Sequence, residues 1–90
     1  MTKIISAAVR VPVGAQTIIW PVHRHADFFY VAKQLQLNYD KNRVEQGFIA
    51  WDGQEERFVD RVEARTIASA AGQLREDAGD FAALYSEDLW

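Results

Sequence analysis

The residues of this chain with the clearest chemical potential stand together in the stretch VHRHAD, residues 22–27. Both histidines of the sequence, His23 and His25, flank Arg24, and Asp27 follows shortly after. Imidazole, guanidinium and carboxylate groups at this spacing suit metal binding, acid–base chemistry, anion binding or the capping of a turn. The rest of the sequence has to decide among these four.

Metal binding is the first use to test, because a His-x-His pair places both rings on one side of an extended segment. Zinc takes three protein ligands in catalytic sites and four in structural sites. The chain has two histidines and no cysteine, and Arg24 between the histidines opposes a bound cation. We therefore expect no metal and no cofactor. The lack of cysteine also excludes a disulfide scaffold and a thiol nucleophile.

Anion binding has a direct physical basis in this stretch. The segment precedes a predicted helix, whose first N–H groups and dipole favour negative charge. Arg24 can bind a phosphate through two parallel hydrogen bonds, and His23 or His25 can add a third. The alternative is that these residues only shape the turn into the helix.

Further candidates for binding a phosphorylated ligand lie elsewhere in the chain. Arg57 and Arg61 surround the predicted start of a second helix, and Arg10 ends the first predicted strand. Phe48 offers a ring for base stacking, and Gly47 lets a ligand approach the backbone. Each also has an ordinary explanation: an arginine is usually a solvated surface residue, an aromatic residue in a strand is usually core, and Gly47 is explained equally by a strand bulge.

Catalysis has little support in the sequence. The serines lack an elbow or triad signature, and no phosphate-binding loop, dinucleotide fingerprint or zinc-protease motif is present. A histidine acting as general base is the remaining route to an enzyme. We expect the protein not to be an enzyme.

The composition of the chain limits the kinds of partner that we expect. Ninety residues form a single domain, 1–90, and a hydrophobic share of 49% is more than so small a monomer easily buries, which predicts a homo-oligomer. The net charge of −3 argues against binding long nucleic acid. Residues 1–50 hold six Lys/Arg against three Asp/Glu, whereas residues 51–90 hold four against ten. No apolar run is long enough to span a membrane, so we expect a cytoplasmic protein.

The first half of the chain predicts a hairpin followed by a helix. Residues 4–13 alternate as a strand, and residues 17–20 form a β-branched and aromatic second strand that Pro21 ends. Asp27 is the predicted N-cap of a helix over 28–37.

The second half repeats this order. Strands over 46–51 and 57–59 flank a loop that contains the turn dipeptide at 52–53. Asp60 then caps a helix predicted over 61–76, with Glu63 at the capping-box position. The fold class is therefore α+β, in the order ββαββα, with a small antiparallel sheet packed against helices.

The C-terminal tail, residues 79–90, ends in Leu89 and Trp90. Leaving two large apolar side chains in water is unfavourable. We therefore expect the tail to pack on the body of the domain or on a neighbouring subunit.

Several short blocks of the chain together resemble a family of small phage-encoded anti-defence proteins. The blocks are IISAAV at 4–9, RH at 24–25, QGF at 46–48, FVDR at 58–61 with EA at 63–64, AGQ at 71–73 and LYSEDLW at 84–90. They cover nearly the whole chain, and the chain is similar to the sponge type of Thoeris anti-defence protein.

This resemblance implies a protein that sequesters a nucleotide-derived immune signal, such as a cyclic ADP-ribose isomer or a cyclic di- or trinucleotide, between subunits of an oligomer. It implies phosphate contacts from Arg24 and His25, a stacking or pocket role for Phe48, and a second phosphate contact from Arg57 or Arg61. The acidic loop at 52–56 puts Arg57 in doubt.

Three functional hypotheses follow. The first is a phage anti-defence protein that binds a cyclic nucleotide or cyclic ADP-ribose signal without cleaving it, in the cytoplasm of the infected bacterium. The second is a protein-binding inhibitor of a host defence complex, similar to anti-CRISPR proteins. The third is a small phosphohydrolase that uses His23 or His25.

Overall fold

A computed structural model describes residues 1–79 and 81–89. Its main elements follow the order strand, strand, helix, strand, strand, helix. This confirms the α+β prediction. The strands are β1 (Lys3–Val13), β2 (Gln16–Val22), β3 (Glu45–Trp51) and β4 (Glu56–Asp60), and the helices are α1 (His25–Gln34) and α2 (Arg61–Ala70). Two short 3₁₀ helices cover Lys41–Arg43 and Ser86–Asp88. No helix in the described ranges is long and apolar enough to cross a membrane.

The four strands form one antiparallel sheet in the order β2-β1-β3-β4. The long strand β1 lies inside the sheet because the two hairpins meet along it, with Ala7 opposite Phe48 and Arg10 opposite Glu45. A bulge at Ile5 shifts the register between β1 and β3. Because side chains alternate along a strand, the register also fixes which residues face the helices.

Both helices pack on the same face of this sheet. Phe28 and Ala32 of α1 pack against Val9 and Val11 of β1. Small residues of α2, Ala64 and Ala68, pack in a second cluster that includes Ala7, Phe48, Ala50 and Val59 of the sheet. The small alanines let α2 lie close to the strands.

Pro21 lies inside β2, so the prediction that it ends the strand is wrong. It pairs with Ala8 in the β1–β2 ladder, and the strand continues to Val22. β2 is an edge strand, and an edge strand tolerates proline where the missing N–H points away from its neighbour.

Helix α1 begins three residues earlier than predicted. It starts at His25 with Arg24 as the N-cap, and Asp27 occupies the third helical position. The Asp27 carboxylate accepts a hydrogen bond from the Arg24 backbone N–H at 3.1 Å. Asp27 therefore stabilises the helix start from within, because an acidic side chain in the first turn can reach back to the N-cap amide. The helix ends at Gln34, and Gln36 adopts a positive φ of 52°.

Helix α2 begins as predicted and ends six residues early. Asp60 caps it by accepting a hydrogen bond from the Glu63 backbone N–H at 2.8 Å, which confirms the cap. The Glu63 carboxylate pairs with Arg57 at 2.6 Å instead of completing a capping box. The helix stops at Ala70 because Gly72 takes a left-handed φ of 69°, a common helix terminator.

The segment after α2 returns along the domain. Leu84 is fully buried in the core, and its backbone N–H donates to the Arg61 carbonyl at 2.9 Å. Asp88 lies beside Arg65 at 3.4 Å. The Gln73 side chain binds both the N–H and the carbonyl of Ile4, at 2.8 and 2.7 Å. The prediction for the terminal Trp90 falls outside the described residues.

Candidate functional site

A cleft of about 330 Å³ lies where the N-terminus of α1 meets the start of α2 and the C-terminal segment. We call it the α1 cleft and define it by its lining residues: Arg24, His25, Ala26, Asp27, Gln46, Arg61, Tyr85, Ser86 and Glu87. It joins four segments that are far apart in sequence, at residues 24–27, 46, 61 and 85–87. Three of the residues predicted from the sequence, Arg24, His25 and Arg61, line it together.

Arg24 holds the N-cap position of α1 in an extended backbone conformation. One guanidinium nitrogen lies 4.0 Å from the Glu87 carboxylate, and 73% of the Glu87 side chain is exposed. An ion pair this long and this exposed contributes little to stability. Arg24 therefore stands at a helix start whose amide groups carry partial positive charge, opposite an acid that binds it weakly.

Arg61 is the first residue of α2, and its guanidinium is fixed by neighbours. The guanidinium lies over the ring of Tyr85, 4.9 Å from the ring centre, and donates a hydrogen bond to the Gln46 side-chain oxygen. No described residue accepts from its buried Nε. Stacking on an aromatic ring orients a guanidinium while leaving its edge available for anions. Arg61 thus supplies the cleft with a second oriented cation.

His25 is buried and connects α1 to β3. Its Nε2 donates to the Gly47 carbonyl at 2.8 Å, and its ring meets Phe48 edge-on at 5.1 Å. Burial lowers the pKa of His25 below its ordinary 6.5; the Gly47 hydrogen bond opposes this shift, and the nearby charge of Arg61 adds to it. A neutral imidazole has one N–H, and His25 gives it to Gly47. We therefore assign His25 a positioning role and no donor role toward an anion.

Gly47 and Phe48 support the cleft from beneath. Phe48 is fully buried, so its ring offers no surface for a nucleotide base. A side chain at Gly47 would collide with the Val59 carbonyl and the Phe58 ring. Glycine is needed here so that β3 and β4 can pair closely, and the Gly47 carbonyl accepts the hydrogen bond from His25.

The other three predicted residues lie outside the cleft. Arg57 is exposed and pairs with Glu63 at 2.6 Å, a hydrogen bond that raises its pKa. Arg10 lies on the opposite face of the sheet, where it pairs with Glu45 at 2.6 Å and covers the Phe58 ring at 4.5 Å. His23 lines a separate depression of about 390 Å³ with Ile5, Ser6, Pro21 and Val22.

Sequence reasoning missed Tyr85, Ser86 and Glu87 as members of the site. They fall in the C-terminal tail, for which the sequence predicts packing from its apolar residues alone. They lie beside the start of α1 because the chain turns at Gly72 and because Leu84 is buried in the core. Both are features of the tertiary structure. The part of the chain that the structure describes contains no group of three or more His, Cys, Asp or Glu placed to hold a metal ion.

The cleft combines two arginines, a helix N-terminus and an aromatic ring with two carboxylates, Asp27 and Glu87, of which Asp27 accepts from the Arg24 backbone N–H. Comparison with protein families places residues 3–90 in the family described as Phage T4 y16D protein, and the chain belongs to this family. No curated protein and no solved structure matches the chain.

Proposed function

We propose that this member of the phage T4 y16D family binds a small phosphate-bearing nucleotide in the α1 cleft and sequesters it without cleaving it. The observation that carries the proposal is that Arg24 and Arg61, from different helices, line one cleft at the N-terminus of α1. The proposed setting is the cytoplasm of an infected bacterium, where a homo-oligomer acts as an anti-defence factor against a cyclic nucleotide or cyclic ADP-ribose signal. Membership of a phage family supports that setting.

Phosphate is the anion that this geometry suits best. The first N–H groups of α1 carry partial positive charge, and Arg24 is the N-cap beside them. A phosphate accepts two parallel hydrogen bonds from a guanidinium, whereas Glu87 now lies 4.0 Å away. A bound phosphate therefore offers Arg24 a stronger interaction than Glu87 does.

The Tyr85 ring is exposed in the cleft and can stack on the flat part of the ligand. Tyr85 is 40% exposed, with Arg61 over its ring. A nucleobase that stacks on this pair gains roughly 1–3 kcal/mol. The cleft volume, about 330 Å³, is at the small end of ligand pockets, which run from about 300 Å³ upward. It fits one nucleotide unit, so a cyclic dinucleotide engages it through one half.

Sequestration sets the required affinity. A sponge acts stoichiometrically and must outcompete the host receptor for its signal. We therefore expect nanomolar binding, which corresponds to about −12 kcal/mol.

The primary experiment is a thermal-shift screen of the purified protein against cyclic dinucleotides, cyclic trinucleotides and cyclic ADP-ribose isomers, with calorimetry on any hit. A ligand that binds only the folded state raises the melting temperature. The proposal fails when none of these compounds shifts the melting temperature even at millimolar concentration.

Arg24→Ala is the variant that tests the site. Losing a bidentate phosphate contact weakens binding by more than about tenfold, which is about 1.4 kcal/mol. The site assignment requires that the free variant stay folded, with nearly the melting temperature of the wild type. Arg43→Ala, an exposed arginine outside the cleft, is the matched control and leaves affinity unchanged. If Arg24→Ala unfolds the protein, Arg24 is structural and the site assignment is wrong.

The rival functions give different results in the same assay. A sponge releases its ligand intact after heat denaturation, whereas a phosphohydrolase that uses a histidine returns a cleaved product. A protein-binding inhibitor of a defence complex gives no response to any nucleotide.

A further inference from the structure

The face of the sheet opposite the helices presents apolar side chains to water. Along each strand, every second residue faces the helices, and the residues between them lie on this opposite face. We call it the open face and define it by six residues: Lys3, Arg10, Ile19, Ile49, Trp51 and Phe58. Ile19 and Trp51 are 45% and 36% exposed. Their neighbour Ile49 is 6% exposed. An antiparallel sheet with one solvent-facing side usually carries polar residues there.

The charges on the open face are of both signs. The ladder places Lys3, Trp51 and Glu56 in one row and Ile19, Arg10 and Glu45 in another. The Lys3 ammonium lies over Trp51 at 5.3 Å, and Arg10 pairs with Glu45 at 2.6 Å. Lys3 and Arg10 offset Glu45 and Glu56, and the third carboxylate on this face, Asp60, accepts the capping hydrogen bond of α2. An apolar centre with a mixed-sign rim has the composition of a protein interface.

We propose that the open face binds a second copy of this chain, with a two-fold axis running along the seam between β1 and β3. The sheet order β2-β1-β3-β4 is symmetric about that seam, so the rotation sets β1 of one copy over β3 of the other. Arg10 of each copy then faces Glu45 of the second copy. An isologous contact needs this kind of self-complementarity.

Charge decides between a second copy and other occupants. A nucleic acid or an acidic protein would meet Glu45 and Glu56, and a basic partner would meet Lys3 and Arg10. A second copy meets opposite charges in both directions.

The area of the open face decides how tight the dimer is. Four strands spaced about 4.8 Å apart give the width of the sheet, and about seven residues rising about 3.4 Å each give its length. The face therefore covers roughly 450 Å². Stable interfaces bury about 800 Å² per partner, so we expect a reversible dimer that dissociates in the micromolar range.

Sedimentation equilibrium of the full chain from low micromolar to several hundred micromolar tests this inference. The average mass rises from the monomer value of 10.3 kDa toward twice that value. Ile19→Lys, on the edge strand of the open face, raises the dissociation constant by at least about tenfold, because it places a charge inside the contact. Val62→Lys is the matched control: Val62 is 57% exposed on α2, and its variant dimerises like the wild type.

A charge exchange gives a second test with a different readout. Arg10→Glu sets like charges against each other across the axis and weakens the dimer at low salt. Arg10→Glu combined with Glu45→Arg restores it, while circular dichroism confirms that each variant is folded.

A wild-type protein that stays monomeric overturns the proposal. So does a dimer that Ile19→Lys leaves intact, one that Val62→Lys dissociates, or a double variant that remains monomeric. None of these results depends on the nucleotide proposed for the α1 cleft.

Discussion

At the scale of single residues, Arg24, His25 and His23 of the VHRHAD stretch occupy three different environments. Arg24 is at the cleft as N-cap, His25 is turned inward to the Gly47 carbonyl, and His23 lines a depression elsewhere. Two histidines two positions apart thus have unrelated environments, because one lies before the helix and the other within its first turn. His25 holds α1 in the place where Arg24 becomes useful.

The buried His25 makes stability depend on pH. Its folded-state pKa lies below the ordinary 6.5, so the unfolded chain binds a proton that the native protein does not. Stability is therefore full above pH 6.5 and declines as the pH falls below that value toward the lowered pKa. Chemical denaturation of the wild type from about pH 7.5 to about pH 5.5 measures this decline.

Substitution isolates the histidine responsible. His25→Gln loses the part of the decline that His25 causes, although it also lowers stability at every pH by disturbing the Gly47 contact. Comparison of the wild-type profile with that of His25→Gln isolates the contribution of His25. Equal pH profiles in the wild type and in His25→Gln would contradict a buried neutral imidazole.

At the scale of elements, helix ends decide where the site forms. Asp60 caps α2 and so fixes Arg61 at its first position, where the guanidinium reaches Tyr85 and Gln46. The left-handed Gly72 then stops α2 and turns the chain back toward the cleft. The cleft is therefore assembled by the cap of one helix and the termini of both.

Removing the α2 cap has a measurable cost. Asp60→Ala loses the hydrogen bond to the Glu63 N–H, and such losses lower the free energy of unfolding by about 1 kcal/mol. Urea denaturation measures the change. Glu76→Ala, at an exposed position after the helix, is the control and stays near the wild-type value. An Asp60→Ala variant as stable as the wild type would mean that the cap does not hold the helix.

Sequence patterns predicted elements well and their ends less well. Alternation and turn residues located all four strands, because those signals are local. The start of α1 was misplaced, since Asp27 suits either the cap or the first turn and only the tertiary position of His25 decides between them. The end of α2 was misplaced because alanine-rich sequence around Gly72 continues the apolar pattern. Residues of the C-terminal tail line the cleft through contacts with residues far away in sequence, and a periodic pattern in the sequence does not reveal such contacts.

At the scale of the whole molecule, the sheet separates two surfaces. The α1 cleft is on the helix side, and the open face is on the other. Ligand binding and self-association are therefore expected to be energetically independent, since distant sites without shared contacts usually add. Arg24→Ala keeps the dimerisation constant of the wild type, and Ile19→Lys keeps its nucleotide affinity. Calorimetry and sedimentation on both variants check this, and a change in both constants from one substitution would show that the surfaces communicate.

The Gln73 side chain has a protective consequence for the sheet. The ladder between β1 and β2 covers residues 7–13 of β1, which leaves the beginning of β1 without a strand on that side. Gln73 places its amide oxygen and nitrogen on the N–H and carbonyl of Ile4, as a neighbouring strand would. Unpaired strand edges invite pairing with other chains and aggregation. One glutamine thus shields this edge, so that copies of the chain do not add to it strand by strand.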